Sequence, residues 1–207
     1  MSHYNSYSLN KLDVVLEQYL KDIDNGFYIE CGANDGISQS NTLFYKNKYN
    51  WKGLLVEPNL HKFNECVTNR PNDIVENYAL VSDSYDKDTI RGYFQFNDYE
   101  NSLCGHCDFM STERFSNVDP IDVPAITLAK LITKHNINKI DFLSLDVENY
   151  EINVLEGLNL NYNKPKYILV ETANVKEKQD NMFNFLSSKK YIFVKRFGND
   201  DFYEYNS

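Results

Sequence analysis

Acidic side chains stand at the ends of several apolar segments in this sequence. These acids are Glu30, Glu57, Asp146 and Glu171. If the segments are parallel strands, their carboxyl ends meet at one edge of a sheet, which is where open α/β sheets bind ligands. A single acid at a strand end is common and usually structural. Several together predict a site whose carboxylates accept hydrogen bonds, take up a proton or bind a divalent cation.

A turn that contains two glycines follows the first of these acids. The residues Gly32-Ala33-Asn34-Asp35-Gly36 come directly after the segment FYIEC, and glycine lets a backbone turn sharply and approach a ligand closely. Glu57 lies 21 residues after Gly36, which is about the spacing at which an acid binds ribose hydroxyls in nucleotide-binding folds. Because a carboxylate has two oxygens, it can accept both hydroxyls. The pattern predicts a ligand that contains a ribonucleoside.

The same turn argues against a nicotinamide cofactor. The G-x-G-x-x-G fingerprint of nicotinamide enzymes is missing, since its third position is Asn34 and its sixth is Ile37. Glu30 would also repel a pyrophosphate that lay across the turn. A ligand with a cationic amine, a sulfonium and no phosphate suits this acid better. The sequence therefore predicts S-adenosylmethionine, with a nicotinamide-dependent sugar-nucleotide enzyme as the alternative.

Segments with helical and strand patterns alternate along the chain and position the acids. Helices are predicted for LNKLDVVLEQYL, SNTLFYKNKYN, NLHKFNECV, TLAKLITKHN, YEINVLEGL and KQDNMFNFLSSK, and strands for GFYIEC, WKGLLVEPN, DIVENYALVS, KIDFLSLDV, KYILVETAN and both halves of YIFVKRFGNDDFYEY. Ser40 or Asn41 is expected to cap the second helix, and Leu60, Phe63 and Val67 to form one apolar face of the third. This order predicts one α/β domain over residues 1–207 with a parallel sheet.

One part of the chain has no clear period. TIRGYFQF predicts an extra strand at an edge, and residues 97–120 then show neither helical nor strand spacing. Irregular stretches of this length in a compact domain are usually functional or disordered. We expect residues 97–120 to cover the acceptor site, with Asn101, Ser102 and His106 as substrate contacts; a disordered loop is the alternative.

The chain resembles the FkbM family of S-adenosylmethionine-dependent methyltransferases. The resemblance is carried by YIECGANDG, SNTLFYKNKYNWKGLLVEPN, ENYALVSD, VPAITLAKL, DFLSLDVENYEINVLEGL and ILVE. It implies a Rossmann-like class I methyltransferase fold, with helices on both faces of a seven-stranded, mostly parallel sheet whose last strand is antiparallel. It also implies O-methylation, often of sugar or polyketide hydroxyls.

The resemblance also implies roles for individual residues. The first motif would surround the methionine end of the cofactor, Glu57 would bind its ribose, and further residues would shape the adenine side. The implied cofactor-binding residues are Glu30, Gly32, Ala33, Asn34, Asp35, Gly36, Glu57, Pro58, Asn59, Asn77, Ala79 and Asp146. Asp146 and Glu148 match the acids of the family's D-V-E-G stretch, where this sequence has Asn149 in place of glycine. Asparagine tolerates left-handed backbone, so the turn is expected to survive.

Methyl transfer to a hydroxyl depends on positioning and on removal of a proton. Asp146 is the first candidate for the base because it closes a very apolar strand, where burial should perturb its pKa. Glu148 and His106 are further catalytic candidates, and Glu171 is expected to contact the substrate. The alternative for Asp146 is that it only holds the cofactor amine.

Two groups of residues in the sequence offer metal ligands. Asp146, Glu148 and Glu171 offer the hard oxygen ligands that Mg²⁺ or Ca²⁺ prefers, so a divalent ion is a secondary alternative. The CGHC segment at 104–107 offers thiols and an imidazole, but a closed zinc site normally needs a second Cys/His pair, and we identified none in the sequence. Zinc is not favoured.

The composition of the chain limits the classes of binding partner and the compartment that we expect for it. The formal net charge of -9 disfavours nucleic acid and anionic membranes. The N-terminal residues MSHYNSYSLN lack the apolar core of a signal peptide, and four scattered cysteines indicate reduced thiols, so a cytoplasmic protein is expected. The predicted partner is a small-molecule or glycan hydroxyl acceptor. A methyltransferase-fold module that binds partners without catalysis is the rival from another functional class, and the oligomeric state is left open.

Overall fold

A computed structural model describes residues 5–94, 106–107 and 119–206 of the chain. The strands are β1 (Phe27–Cys31), β2 (Lys52–Val56), β3 (Ile74–Glu76), β4 (Ala79–Leu80), β5 (Thr89–Tyr93), β6 (His106–Cys107), β7 (Ile121–Ile126), β8 (Phe142–Leu145), β9 (Tyr167–Glu171), β10 (Tyr191–Phe197) and β11 (Asp200–Tyr205). The α-helices are α1 (Leu12–Leu20), α2 (Leu43–Tyr49), α3 (Leu60–Asn69), α4 (Leu128–Lys134), α5 (Glu151–Leu158) and α6 (Lys176–Ser188), and a 3-10 turn, Leu9–Lys11, precedes α1. None of the helices in these residues is long and apolar enough to cross a membrane.

The larger sheet has seven strands in the order β10-β11-β9-β8-β1-β2-β3. Its five strands from β9 to β3 pair in parallel. The last strand of the chain, β11, is antiparallel to both of its neighbours, β9 and β10. The predicted fold, a mostly parallel seven-stranded sheet with its last strand antiparallel, is confirmed.

Helices pack on both faces of this sheet because its strands are apolar on both sides. Along β1, Ile29 packs in a cluster with α4, α5 and α6. The neighbouring residue Tyr28 points to the opposite face, where it packs with α1, α2 and α3. The two clusters fix the direction of β1 and therefore the edge at which the residues after it emerge.

A second sheet of four strands, β4-β7-β5-β6, was not predicted. The predicted third strand, DIVENYALVS, is divided: β3 joins the large sheet and β4 pairs in parallel with β7 in the small one. The division occurs at Asn77, whose amide donates to the backbone carbonyls of Glu57 (2.8 Å) and Pro58 (3.0 Å). The strand predicted at an edge, β5, lies inside the small sheet, between β7 and β6.

The apolar residues predicted to share one face of α3 do not form its buried face. Leu60 is 62% and Val67 43% exposed, whereas Cys66 is fully buried. The reason is the close approach of the Gly36 turn: a Cβ on Gly36 would lie 2.8 Å from the Cys66 Sγ. Only a small side chain fits on that face of the helix, so the helix presents Cys66 inward. Cys31 and Cys66 are both free thiols.

Candidate active site

A cleft of about 1310 Å³, including the solvent at its mouth, lies at the carboxyl ends of β1, β2, β8 and β9. Most of the predicted site residues line it: Glu30, Gly32, Ala33, Asn34, Glu57, Pro58, Asn59, Ala79, Asp146, Glu148 and Glu171. Asn101 and Ser102 lie outside the described residues, as does most of the 97–120 segment. His106 is described only as backbone of β6. The cleft brings together the four strand-end acids that the sequence predicted, Glu30, Glu57, Asp146 and Glu171.

Gly32 allows the ends of β1 and β8 to approach each other. Its φ is +80°, and a Cβ at this position would lie 1.8 Å from the backbone oxygen of Asp146. Asn34, two residues on, also has a positive φ, of 51°, which asparagine tolerates better than most residues. Gly36, which ends the turn, has a φ of +79°, so three residues suited to left-handed backbone shape it.

Glu57 is held by backbone donors on both of its oxygens. Its Oε2 accepts the N–H of Asn34 and its Oε1 accepts the N–H of Asn59, each at 2.8 Å. Burial raises the pKa of Glu57 to about 7, although these two N–H groups act in the opposite direction. Since each carboxylate oxygen has further acceptor capacity, Glu57 is oriented to receive donors from a molecule in the cleft.

Glu30 is fixed from behind by the segment that leads into α2. Its carboxylate accepts the Ser40 hydroxyl at 2.9 Å, the Thr42 hydroxyl at 2.5 Å and the Asn41 N–H at 2.8 Å. Burial raises its pKa, and the positive charge of Arg70 opposes the rise. Ser40 also accepts the N–H of Leu43 at 3.1 Å. The N-cap of α2 is nevertheless Thr42, without a side-chain capping bond, so the predicted cap at Ser40 or Asn41 was wrong.

Arg70 lies next to Glu30 on the side away from the cleft, and it was not predicted from the sequence. The side chain is fully buried and donates to the Asp73 carboxylate (2.7 Å), the Gly36 carbonyl (2.8 Å) and the Tyr28 hydroxyl (2.7 Å). Its Nη1 lies 3.8 Å from the Glu30 carboxylate. An arginine at the end of a helix is ordinary in a sequence, and the nearby acid at Asp73 is the only local signal of a buried pair. The guanidinium ties α3, β1 and the glycine turn together.

Three predicted cofactor residues do not line the cleft but support its walls. Asp35 accepts the N–H groups of Ile37 (2.8 Å) and Ser38 (2.7 Å), which closes the turn. Gly36 leaves space for Arg70, and Asn77 holds the backbone after β2 through the bonds described above. Contact between these residues and a ligand stays a prediction.

A cluster of carboxylates occupies the side of the cleft formed by β8 and β9. Oxygens of Asp146, Glu151 and Glu171 all lie within 4.8 Å of one another, which fits hard ligands for a divalent cation. Glu151, not Glu148, is the third member of this group, and the sequence analysis had not selected it. Its carboxylate accepts the N–H groups of Asn149 (3.0 Å) and Val147 (3.3 Å) at the start of α5. Glu148 and Asn149 have positive φ values of 56° and 79°, so the turn is left-handed as expected.

The cluster alters the acid–base chemistry of Asp146. Asp146 is exposed where its side chain opens into the cleft, but the protein packed around the cleft reduces its solvation and raises its pKa well above the usual range. The negative charges of Glu171 and Glu148 raise this pKa further. Burial and Glu171 likewise raise the pKa of Asp200 to about 7. The raised pKa of Asp146 makes this carboxylate a stronger base than an isolated aspartate and suits it to proton transfer.

Solved structures with a similar fold include methyltransferases. Precorrin-6y C5,15-methyltransferase from Geobacter metallireducens GS-15 aligns over 95% of this chain and 90% of its own, with 11% identity and a TM-score of 0.51. A methyltransferase from Geobacter sulfurreducens aligns over 97% and 81%, with 10% identity and a TM-score of 0.52. A Staphylococcus aureus protein provisionally described as a caffeoyl-CoA O-methyltransferase aligns over 94% and 82%, with 9% identity and a TM-score of 0.53. The fold is that of the Rossmann-like class I methyltransferases.

The sequence itself matches one family. No curated protein matched the chain. The methyltransferase FkbM domain matches residues 30–193, a span that begins at the acid of β1 and extends into β10. The matched span includes the predicted cofactor turn, Glu57 and the Asp146 cluster. The chain belongs to the FkbM methyltransferase domain family.

Proposed function

We propose that this protein is an S-adenosylmethionine-dependent O-methyltransferase whose acceptor is a hydroxyl of a sugar or glycan. The observation that carries the proposal is the position of Asp146 in a methyltransferase fold. Its carboxylate opens into the cleft at the end of β8, next to the glycine turn of β1. A base at this position lies in the same cleft as Glu30 and Glu57, the acids expected to bind the S-adenosyl ligand.

The residues on the β1 and β2 side fit an S-adenosyl ligand. Gly32 lets the turn after β1 lie directly against the backbone of Asp146, so that both line the same cleft. Glu57, already oriented by two N–H groups, offers acceptors for ribose hydroxyls. Asn34 is 5% exposed and its Oδ1 has no hydrogen-bond partner among the described residues, which favours a donor supplied by a ligand.

The chemistry then requires a proton acceptor beside the hydroxyl. S-adenosylmethionine, when bound, supplies an electrophilic methyl group. Asp146 in its ionised form accepts the proton of the acceptor hydroxyl, which increases the nucleophilicity of that oxygen. Glu171 and Glu151 favour the protonated form of Asp146 by their charge, so they make it a stronger base than an isolated aspartate.

The charge and shape of the cleft support a neutral, hydroxyl-rich acceptor. None of the described residues that line it is lysine, arginine or histidine. Five of them are acidic: Glu30, Glu57, Asp146, Glu148 and Glu171. Carboxylates accept hydrogen bonds from sugar hydroxyls but repel phosphates and carboxylates. Tyr78, Phe94 and Tyr150 add aromatic surface against which a ring can pack.

Two measurements test the proposal. Calorimetry with S-adenosylhomocysteine, with NAD as the comparison ligand, examines the cofactor; we expect binding of the first and not of the second. Transfer of a labelled methyl group is then followed with panels of neutral glycans, nucleotide sugars, amines and carboxylic acids. Methylation of a neutral glycan hydroxyl supports the proposal, and methylation confined to amines or carboxylates contradicts the acceptor class. Cofactor binding without transfer to any acceptor favours the non-catalytic module.

A further inference from the structure

The N-terminal strap, defined here as residues 6–11, reaches the cleft from outside the family match. The FkbM match begins at residue 30, yet Leu9 lines the same cleft as Ser38, Gln39 and Glu30. Leu9 is 61% exposed. An exposed leucine is ordinary by itself, so its significance depends on whether the chain holds it there.

A buried aspartate holds the strap in place. Asp13 is fully buried on α1, and its Oδ1 accepts the hydroxyl of Ser6 at 2.6 Å. Its Oδ2 accepts the N–H of Tyr7 at 2.8 Å and that of Ser8 at 3.4 Å. The Ser8 hydroxyl in turn accepts a hydrogen bond from the Asp13 N–H at 2.7 Å. Both carboxylate oxygens are therefore used to fix the three residues that precede Leu9.

Helix α2 provides a second attachment. The Tyr45 hydroxyl donates to the backbone oxygen of Asp13 at 2.6 Å, and the Asn47 amide donates to the Tyr7 hydroxyl at 3.0 Å. After Leu9, the chain turns through Asn10 and Lys11, whose φ values are 52° and 58°. Left-handed backbone at residues other than glycine persists where the surroundings hold it. The strap is thus tied to the helix whose preceding segment supports Glu30.

We propose that Leu9 is a contact residue for the S-adenosyl ligand and that Asp13 is the residue that positions it. The proposal rests on the proposed function, since the ligand is the same. An apolar side chain at the cleft covers part of the ligand and removes water from it, which strengthens binding in proportion to the apolar area buried. Asp13 does not touch the ligand; it acts by fixing the backbone on which Leu9 stands.

Calorimetry with S-adenosylhomocysteine on the full chain tests this contact. Leu9→Ala is expected to bind about threefold to tenfold more weakly than the wild type, the loss expected for a partly covered leucine. The control is Val15→Ala, which removes an exposed apolar side chain that does not line the cleft. Val15→Ala should bind as the wild type does, and neither variant should change the thermal midpoint of the ligand-free protein.

A double variant tests the positioning role. Asparagine at position 13 presents an amide donor to backbone N–H groups, so Asp13→Asn should release the strap and weaken binding by about the same factor as Leu9→Ala. The double variant Leu9→Ala/Asp13→Asn should then bind no more weakly than Leu9→Ala alone. Losses that multiply in the double variant would overturn the positioning role of Asp13.

The outcomes separate this inference from the function on which it rests. Wild-type protein that binds S-adenosylhomocysteine, together with a Leu9→Ala variant of unchanged affinity, overturns the contact and leaves the proposed function intact. Wild-type protein that does not bind S-adenosylhomocysteine overturns both.

Discussion

Gly32 and Asp146 meet backbone to backbone at the floor of the cleft: a Cβ added to Gly32 would lie 1.8 Å from the Asp146 carbonyl oxygen. The cofactor turn and the candidate base are therefore positioned by the same contact between the ends of β1 and β8. A change in either strand end alters both halves of the site.

Gly32→Ala should damage fold and site together. The new methyl group has no space and the backbone has a φ of +80°, so steric overlap adds to the backbone strain. Gly198→Ala is a matched control, because its φ is +62° but no atom lies within 4 Å of the added carbon. We expect Gly198→Ala to lower the free energy of unfolding by about 1–2 kcal/mol, the cost of left-handed backbone alone, and Gly32→Ala to lower it by more. Equal losses of unfolding free energy for the two variants, measured with denaturant, would show that the backbone contact with Asp146 can move to make room for a methyl group.

Glu57→Ala should weaken cofactor binding by about 1.5–3 kcal/mol, which is the value of hydrogen bonds to a charged group. Because burial raises the Glu57 pKa to about 7, its carboxylate is ionised above that pH and protonated below it. Wild-type affinity for S-adenosylhomocysteine should therefore rise with pH through about 7, while the variant should lack this step. Calorimetry across this range checks both effects.

An exposed acid nearby provides the control for Glu57. Glu65 on α3 pairs with Lys62 at the surface, and Glu65→Ala should keep both the affinity and its pH step. If Glu57→Ala retained wild-type affinity for S-adenosylhomocysteine, Glu57 would not be the ribose acid.

Arg70→Ala should destabilise the protein by about 3–5 kcal/mol, because the buried Glu30 carboxylate loses its cationic partner and the buried Asp73 carboxylate keeps only its ion pair with Lys46. The groups left behind are Asp73, bonded at 2.7 Å, and Glu30, 3.8 Å away. Arg91→Ala is the control, since the ion pair of Arg91 with Asp122 is exposed. Urea unfolding that gave similar losses for both variants would contradict a structural role for the buried guanidinium.

The strand-end acids of the site could be predicted from the sequence, whereas residues whose contacts are distant in the chain could not. Glu30, Glu57 and Asp146 close apolar strands, and parallel order brings such residues to one edge. Arg70 was missed because it bonds to Tyr28 on β1, and Glu151 because only the fold brings it within 4.8 Å of Glu171 on β9. The same limit explains the division of DIVENYALVS at Asn77, since the carbonyls that receive its amide belong to residues 57 and 58.

Methyl transfer should persist in EDTA. Glu151 already accepts two backbone N–H groups, which leaves Asp146 and Glu171 as the freer pair in the cluster. A shared proton relieves the repulsion of two carboxylates as a cation would. Turnover is measured after EDTA treatment and again with added Mg²⁺. Loss of activity that Mg²⁺ restores would establish the metal alternative instead.

Asp146→Asn should retain the fold and lose most of the methyl transfer. Asparagine is close in size to aspartate, but it cannot accept the hydroxyl proton, so the contribution of a base, about 10²–10⁴-fold, should disappear from the rate. The base works only when ionised, and burial together with Glu171 and Glu148 raises its pKa well above the usual range. The wild-type rate should therefore rise with pH through that raised pKa, and the residual rate of the variant should not.

The rate of Asp146→Asn has to be measured at saturating S-adenosylmethionine, because Asp146 also lines the cofactor cleft. Asp122→Asn is the control, since Asp122 is exposed on β7 and does not line the cleft. Saturating rates separate a lost base from a lost cofactor contact, because weaker binding alone would be overcome by concentration. A variant within a few-fold of the wild type, with the same pH profile, would remove Asp146 as the base and make Glu148 and His106 the candidates to test.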